Sequence, residues 1–278
     1  MALATQPDDR HIDATVAHMA RIYDYLLGGT NNFEVDREVA ERVTAALPGG
    51  IEGARVNIRA NRDFLAWAVR WLADERGIRQ FLDIGTGIPN ADNVHAVAQQ
   101  TTPDARVVYV DHDPVVLALA HELCQSTPEG AAAYVDGDLR QPEQILTAAS
   151  DTLDFAQPVA LMLLGVLHYV TADEDPYGIV ARLLDAVPSG SYLVVSHLAS
   201  DLFPEEMAEL AERHNDGDNE TAEEAVLRSR DEVARFVDGL EVIDPGVVPL
   251  NEWHPEGANT LDLGDTVIPI YGAIARKP

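Results

Sequence analysis

The chain has 278 residues, 46% of them hydrophobic, which suits one large α/β domain with a substantial core. No run of about 18 apolar residues appears, so no transmembrane helix is expected, and a net charge of −28 argues against a broad phosphate-binding surface and hence against a nucleic-acid partner. The single cysteine, Cys124, excludes intramolecular disulfides and argues against cysteine-based zinc sites.

Residues 1–12 read as a frayed tail. They lack a basic region followed by an apolar one, so no signal peptide is expected and a cytoplasmic location is the default. From Thr15 to about Leu27 the pattern is helical, with Val16, Met19, Ala20, Tyr23 and Leu27 near one face. Gly28–Gly29 should end that helix. A second helix is expected over Phe33–Leu47, stopping at Pro48–Gly50, and a third over about Arg55–Arg76, with Gly77 as its stop. The first 77 residues therefore read as a helical N-terminal extension to a domain spanning 78–278.

The character then changes. Strands are expected at 80–84, 105–111, 131–138, 158–166 and 190–198, separated by helices at 91–101, 114–125, 141–149 and 177–187. This alternation predicts a parallel sheet with helices on both faces. Residues 201–224 break the rhythm with ten acidic residues against one arginine and read as a helical insertion, to about 225, with a solvated acidic loop. A helix over 228–240 and two strands, 240–250 and 266–276, finish the chain. No helix fits between those strands, so they should be antiparallel, closing a seven-stranded sheet.

The first strand ends in Asp83-Ile84-Gly85-Thr86-Gly87. Ligands of such sheets sit at the carboxyl ends of the strands, and glycines there let backbone approach a ligand closely. A dinucleotide loop wants a third glycine at position 90, which is Asn90, and Pro89 prevents a clean helix start. Asp83 is also a poor neighbour for pyrophosphate and suits an ammonium group better. Asp111 ends the second strand, where a carboxylate can accept both hydroxyls of a ribose. Asp138, after the third strand, can accept from an adenine amino group. Read singly, these are strand-end caps and a turn. Together they describe S-adenosylmethionine, which carries an ammonium, a ribose and an adenine and no phosphate.

FLDIGTG, VVYVDHDP, DGDL and LLGVLHYV resemble the motifs of the class I S-adenosylmethionine-dependent methyltransferases. ARIYDYLLGGTNNFEVDRE, IRANRDFL, QFLDIGTGIPNADNVH, DPYGIVARLLDAVPSGSYLVVSH and RSRDEVARFVDGLE are similar to a narrower, actinobacterial group of these enzymes, the DUF574 type. Pro89 departs from the usual third glycine of the first motif. The resemblance implies a Rossmann-like class I fold, α/β with seven strands, the last antiparallel, and S-adenosyl-L-methionine as cofactor, with S-adenosyl-L-homocysteine as product.

On that reading Asp83, Gly85, Thr86 and Gly87 wrap the methionine part, Asp111 holds the ribose and His112 flanks the adenine. Asp138 and Leu139 meet the adenine ring, Leu164 and Gly165 border the sulfonium, and Asn93 either reaches the same pocket or lies at the surface. Tyr23, Asp24, Asn31, Asn32 and Phe33 mix polar and aromatic side chains around a glycine pair. They are expected to form a lid with Arg59 and Arg62, the bland alternative being a turn with core aromatics. For a hydroxyl acceptor His168 is the candidate base, His197 the second choice, and Tyr169 a candidate wall of the acceptor site. No metal is expected, since no metal-ligand spacing of His and Glu appears.

LLGVLHYV lacks the Asn/Asp-Pro-Pro-Tyr pattern of base-amino methyltransferases, and Cys124 is not in a Pro-Cys context. A small-molecule acceptor is thus favoured over a protein, with nucleic acid last. Two other readings stay open: a regulator that binds the cofactor without transfer, and a nicotinamide-dependent oxidoreductase.

Overall fold

A computed structural model describes residues 13–89, 93–123, 126–216, 223–253 and 267–278. Residues 1–12, 90–92, 124–125, 217–222 and 254–266 lie outside them, including the expected tail, parts of the first two expected helices of the sheet domain and part of the acidic segment. Three helices come first: α1 (Met19–Leu26), α2 (Glu34–Thr44) and α3 (Gly50–Asp74). Helix α1 starts later than its periodicity predicts because His18 is extended, with its Nδ1 3.3 Å from the Ala20 amide. Helix α3 starts earlier, since Gly49 and Gly50 at φ 79° and 56° turn the chain directly into it.

The sheet follows as β1 (Gln80–Ile84), β2 (Arg106–Asp111), β3 (Ala131–Asp136), β4 (Ala160–Leu164) and β5 (Tyr192–Leu198). Between these strands run α4 (Val94–Ala98), α5 (Pro114–Leu123), α6 (Pro142–Ala149) and α7 (Pro176–Asp185). After β5 come α8 (Pro204–Asn215), α9 (Arg230–Ala234) and the short strands β6 (Glu241–Val242) and β7 (Val248–Pro249). The last strand is β8 (Ile270–Arg276). The order is β3-β2-β1-β4-β5-β8-β6, with β7 also pairing β8. The first five strands are mutually parallel, and β8 runs antiparallel to β5 from Tyr192↔Arg276 to Leu198↔Ile270.

The fold class is the one expected: a mostly parallel α/β sheet with an antiparallel edge. The strand expected over 240–250 is two pieces, because Pro245 and Gly246, at φ 91°, turn the chain between them. Both pieces remain antiparallel neighbours of β8.

Alternation along the strands feeds two cores. Leu82, Val108, Leu161, Leu193 and Val195 point to one face, under α6, α7 and α9. Phe81, Val107, Tyr109, Met162 and Val194 point to the other, under α3 and α4. Phe64, Leu65, Ala68 and Leu72 place α3 firmly in that second core. A third cluster joins α1, α2 and α8 above the carboxyl ends of the strands. The acid-rich segment therefore differs from a solvated loop over its described part. Met207, Leu210 and His214 form a buried stripe on α8, while its acidic side chains face outward.

Candidate functional site

Strand order reverses between β1 and β4, and a cleft of about 990 Å³ opens there at the carboxyl edge of the sheet. Asp83, Gly85, Thr86 and Gly87 line it from the loop after β1, and Asp111 and His112 from β2. Asp138 and Leu139 line it after β3, and Leu164 and Gly165 at the end of β4. Tyr23 from α1, Arg62 from α3 and Tyr169 form its other wall.

The loop after β1 is built on backbone. Gly85, at φ 76°, donates to Val110 O, and a Cβ on it would lie 2.6 Å from Val166 Cγ2. Gly87, at φ 65°, faces open space and donates its amide to Asp111 Oδ2 at 2.8 Å. The Asp113 amide donates to Asp111 Oδ1 at 3.0 Å. Each Asp111 oxygen thus has one backbone donor and keeps a further lone pair for a ligand hydroxyl. Burial pushes the Asp111 pKa up, against the pull of those two amides.

Asp83 is 5% exposed, and its carboxylate accepts from Thr86 Oγ1 at 3.1 Å. Burial is the main cause that pushes its pKa up to about 6; Arg62 and the Thr86 hydroxyl restrain the rise and Asp111 adds to it. At the far end, Asp138 Oδ1 accepts from the Arg140 amide and Nη1 at 2.9 and 3.1 Å. Arg140 also pairs with Glu174 at 2.6 Å and donates to Tyr169 O at 2.8 Å. Glu223, beyond α8, lies 3.6 Å from Arg140 and 3.4 Å from His112.

Other expected residues sit elsewhere. Asn93 is the buried N-terminal cap residue of α4, outside the cleft lining. Asp24 Oδ2 accepts from the Asn31 amide and Asn32 Nδ2, both at 2.8 Å, while Arg37 Nη1 donates to Asn32 Oδ1 at 2.9 Å. This turn needs Gly29, where a Cβ would lie 2.1 Å from Asp24 Oδ1. Asp24 borders a smaller recess shared with Arg62 and Thr86. Phe33 lies under the Arg21 guanidinium, 5.2 Å from ring centroid to Cζ, and Arg59 is exposed on α3. His168 is buried just behind the cleft wall. His197 has both ring nitrogens engaged: Nδ1 donates to Leu198 O and Nε2 accepts from Arg228 Nη1, each at 2.8 Å. Burial pushes its pKa down to about 3, so it stays a neutral structural link.

Residues 5–278 match the family described as S-adenosyl methyltransferase. The chain belongs to that family. A DUF574 protein from Streptomyces avermitilis is 44% identical over 96% of this chain and 100% of its own, with a TM-score of 0.89. A protein described as a candidate methyltransferase from Thermobifida fusca is 37% identical over 95% and 96% of the two chains, with a TM-score of 0.83. The magnesium protoporphyrin IX methyltransferase of Synechocystis, 12% identical over 92% and 93%, shares the fold at a TM-score of 0.53. No curated protein matches the chain.

The methyltransferase cleft also contains residues that sequence reasoning missed: His18, Asn61, Arg140 and Glu223. Asn61 lies within IRANRDFL, and no local motif marks the other three. His18 Nδ1 lies 2.9 Å from Asp113 Oδ2 and 3.3 Å from the Ala20 amide. Protonated, it pairs with Asp113; neutral, it can accept from Ala20 and leaves a buried carboxylate without its cation. Among the described residues no group of three or more His, Cys, Asp or Glu could hold a metal ion. Among them, too, no helix is long and apolar enough to cross a membrane.

Two pH effects follow. Burial opposes the charged form of His18, but the hydrogen bond and charge of Asp113, with the charge of Asp111, outweigh burial and Arg21 and raise its pKa above 6.5. Burial likewise opposes the Asp113 charge, and the hydrogen bond and charge of His18, aided by the Val115 amide and Arg21, still lower its pKa below 3.8. The stabilisation from His18 is complete below pH 6.5 and lost as pH rises through its raised value; that from Asp113 is complete above 3.8 and lost as pH falls through its lowered value. The pair thus stabilises most between those limits. The melting temperature should fall as pH rises from about 6.5 to 8.5, and His18→Gln should remove that part of the fall. An unchanged slope in the variant would sink the assignment.

The second effect concerns Asp83. A cationic ligand group takes its ionised form. Affinity for S-adenosylhomocysteine should therefore drop below pH 6, by up to about tenfold per pH unit, and binding near pH 6 should release a proton. Calorimetry in two buffers of different ionisation enthalpy reads that proton directly.

Proposed function

We propose that this chain binds S-adenosylmethionine in the cleft and methylates a small molecule. The observation that carries the reading is the buried Asp83 carboxylate beside an open, glycine-built loop, with Asp111 and Asp138 at the next two strand ends. The residues fit the cofactor. Asp83 is buried with its pKa raised despite the charge of Arg62 and suits an ammonium, while Asp111 has lone pairs left for a ribose. Asp138 and Leu139 then meet the adenine, with His112 at its edge, and Leu164 and Gly165 border the reacting end. A pyrophosphate would face Asp83 and Asp111 together, which disfavours a dinucleotide.

When bound, the cofactor supplies a methyl group already activated on a sulfonium. The chain's own task is to bind, orient and exclude water. Residues 1–77 act as the lid of the domain 78–278. Helix α3 is its fixed wall, because Phe64, Leu65 and Ala68 belong to the sheet core. Helices α1 and α2, which pack with α8 over the carboxyl ends of the strands, are the part that can open. His168, behind Tyr169, holds the acceptor's proton where the acceptor is a hydroxyl. Transfer is favoured over a purely regulatory role because a second cavity meets the cleft at Gly165 and Tyr169.

Calorimetric titration with S-adenosylmethionine, S-adenosylhomocysteine and NAD⁺ tests the reading. Binding of both adenosyl ligands and silence with NAD⁺ is the expected pattern. Binding of NAD⁺ alone would overturn it.

A further inference from the structure

A second cavity adjoins the cofactor cleft. It lies between α1, α2, α3 and α8 above the carboxyl ends of β4 and β5. It shares Met19, Tyr23, Asn61, Gly165 and Tyr169 with the cofactor cleft, so the two spaces join at the expected reacting end. Its far walls are apolar, with Ile22, Val39, Val43, Leu47 and Leu210. In a chain with 19 basic and 47 acidic residues, no Lys, Arg, Asp or Glu lines it among the described residues.

Tyr23, Asn61, Ser196, His168 and Tyr169 are its polar groups near the junction; Thr44, Asn57 and His214 are the others. Ser196 Oγ donates to Asn61 Oδ1 at 2.6 Å, and Asn61 Nδ2 donates to Tyr23 Oη at 3.1 Å, so this chain satisfies itself. His168 differs. It is 5% exposed, it lines the cavity, and its Nδ1, covered by protein just under the cavity surface, has no hydrogen-bond partner. Burial first, then the charges of His197, His214 and Arg228, hold its pKa well below the ordinary value, so the ring is neutral. A buried ring nitrogen without a partner is costly unless a ligand supplies one.

We infer that this cavity is the acceptor site and that its occupant is a neutral, largely apolar small molecule bearing a hydroxyl group that meets His168 Nδ1. The inference rests on the methyltransferase reading for the word acceptor; the chemistry of the occupant comes from the cavity alone. A carboxylate, phosphate or ammonium would be buried there without a counter-ion. A hydroxyl can donate to or accept from Nδ1 in either tautomer, which a carbonyl or an ether cannot.

Two fluorescent probes of similar apolar body test this, neutral N-phenyl-1-naphthylamine and anionic 8-anilino-1-naphthalenesulfonate, with the full chain saturated with S-adenosylhomocysteine. The neutral probe should bind with a blue shift and saturate at one site, and the anionic probe should bind at least about tenfold more weakly. 1-Naphthol should displace the neutral probe at roughly fivefold lower concentration than naphthalene, and His168→Phe should bring that ratio close to one. Val43→Trp fills the cavity away from the cofactor cleft. It should abolish probe binding and leave S-adenosylhomocysteine affinity, read by calorimetry, within about twofold. Leu47→Trp serves in its place if Val43→Trp melts before assay. Equal binding of the two probes, a naphthol preference that survives His168→Phe, or probe binding that survives the tryptophan variants would each overturn the inference. Failure of wild type to bind S-adenosylhomocysteine would instead remove the methyltransferase reading, and the probes alone would then decide the cavity's chemistry.

Discussion

Asp111→Ala should weaken S-adenosylhomocysteine binding by roughly 30- to 1000-fold, about 2–4 kcal/mol, read by titration calorimetry. Two charge-assisted hydrogen bonds to a ribose diol account for the lower part of that range. The upper part comes from the loop. Asp111 accepts the amides of Gly87 and Asp113 at 2.8 and 3.0 Å, and the alanine leaves both without their acceptor, the Asp113 amide in a buried place. Asp111→Asn keeps the shape and one acceptor oxygen, so it should fall between wild type and alanine. If the alanine variant binds within about threefold of wild type, Asp111 is a loop brace and not a ligand clamp.

Gly85→Ala should destabilise the fold by about 2–4 kcal/mol and lower the melting temperature by roughly 5–10 °C. The backbone there is left-handed at φ 76°, and the new methyl would lie 2.6 Å from Val166 Cγ2. Both effects act together, and a second variant separates them. Gly85→Ala with Val166→Ala removes the 2.6 Å contact with Cγ2 but keeps Val166 Cβ at 2.8 Å and the backbone strain, so it should recover only part of the loss. Gly87→Ala gives the contrast. Its φ is 65° but nothing lies within 4 Å of the added methyl, which would point into the cleft. That variant should lose only about 1–2 kcal/mol of stability while losing ligand affinity. Calorimetric melting of the three proteins decides it; equal melting temperatures for Gly85→Ala and wild type would refute the packing argument.

Much of the sheet is legible because its signals are local. Strand β1 falls at the expected residues, 80–84, since QFLDI is a short apolar run between a helix stop and a glycine turn. Asp83, Asp111 and Asp138 can be grouped from sequence for a geometric reason. In a parallel sheet every strand delivers its carboxyl end to the same edge, so residues far apart in the chain meet if each ends a strand. The split of 240–250 into two strands is marked by Asp244-Pro245-Gly246, a turn signal that outweighs the apolar residues on either side of it.

The N-terminal segment is harder to read. YDYLLGGTNNF looks ligand-facing, but the polarity of Asp24, Asn31 and Asn32 is consumed in closing their own turn. Of this stretch Tyr23 does line the cleft, as does His18, which has no distinguishing neighbours in sequence. Arg62 lines the cleft and Arg59 does not, although they lie less than a turn apart, because only one side of α3 faces it once Phe64 and Leu65 are fixed on the sheet.

By itself, then, the sequence determined the element order, the sheet class and the acidic strand ends, all of which depend on hydrophobic period and backbone chemistry within a few residues. Tertiary structure decided the rest: that α3 is part of the core, that α8 roofs an uncharged cavity, that Glu223 and Arg140 meet at the cleft, and that His168 faces a cavity with a nitrogen to spare while His197 does not. These depend on which surfaces pack when α1, α2 and α8 close over the sheet edge, and hydrophobic burial is non-directional, so no local pattern encodes its outcome.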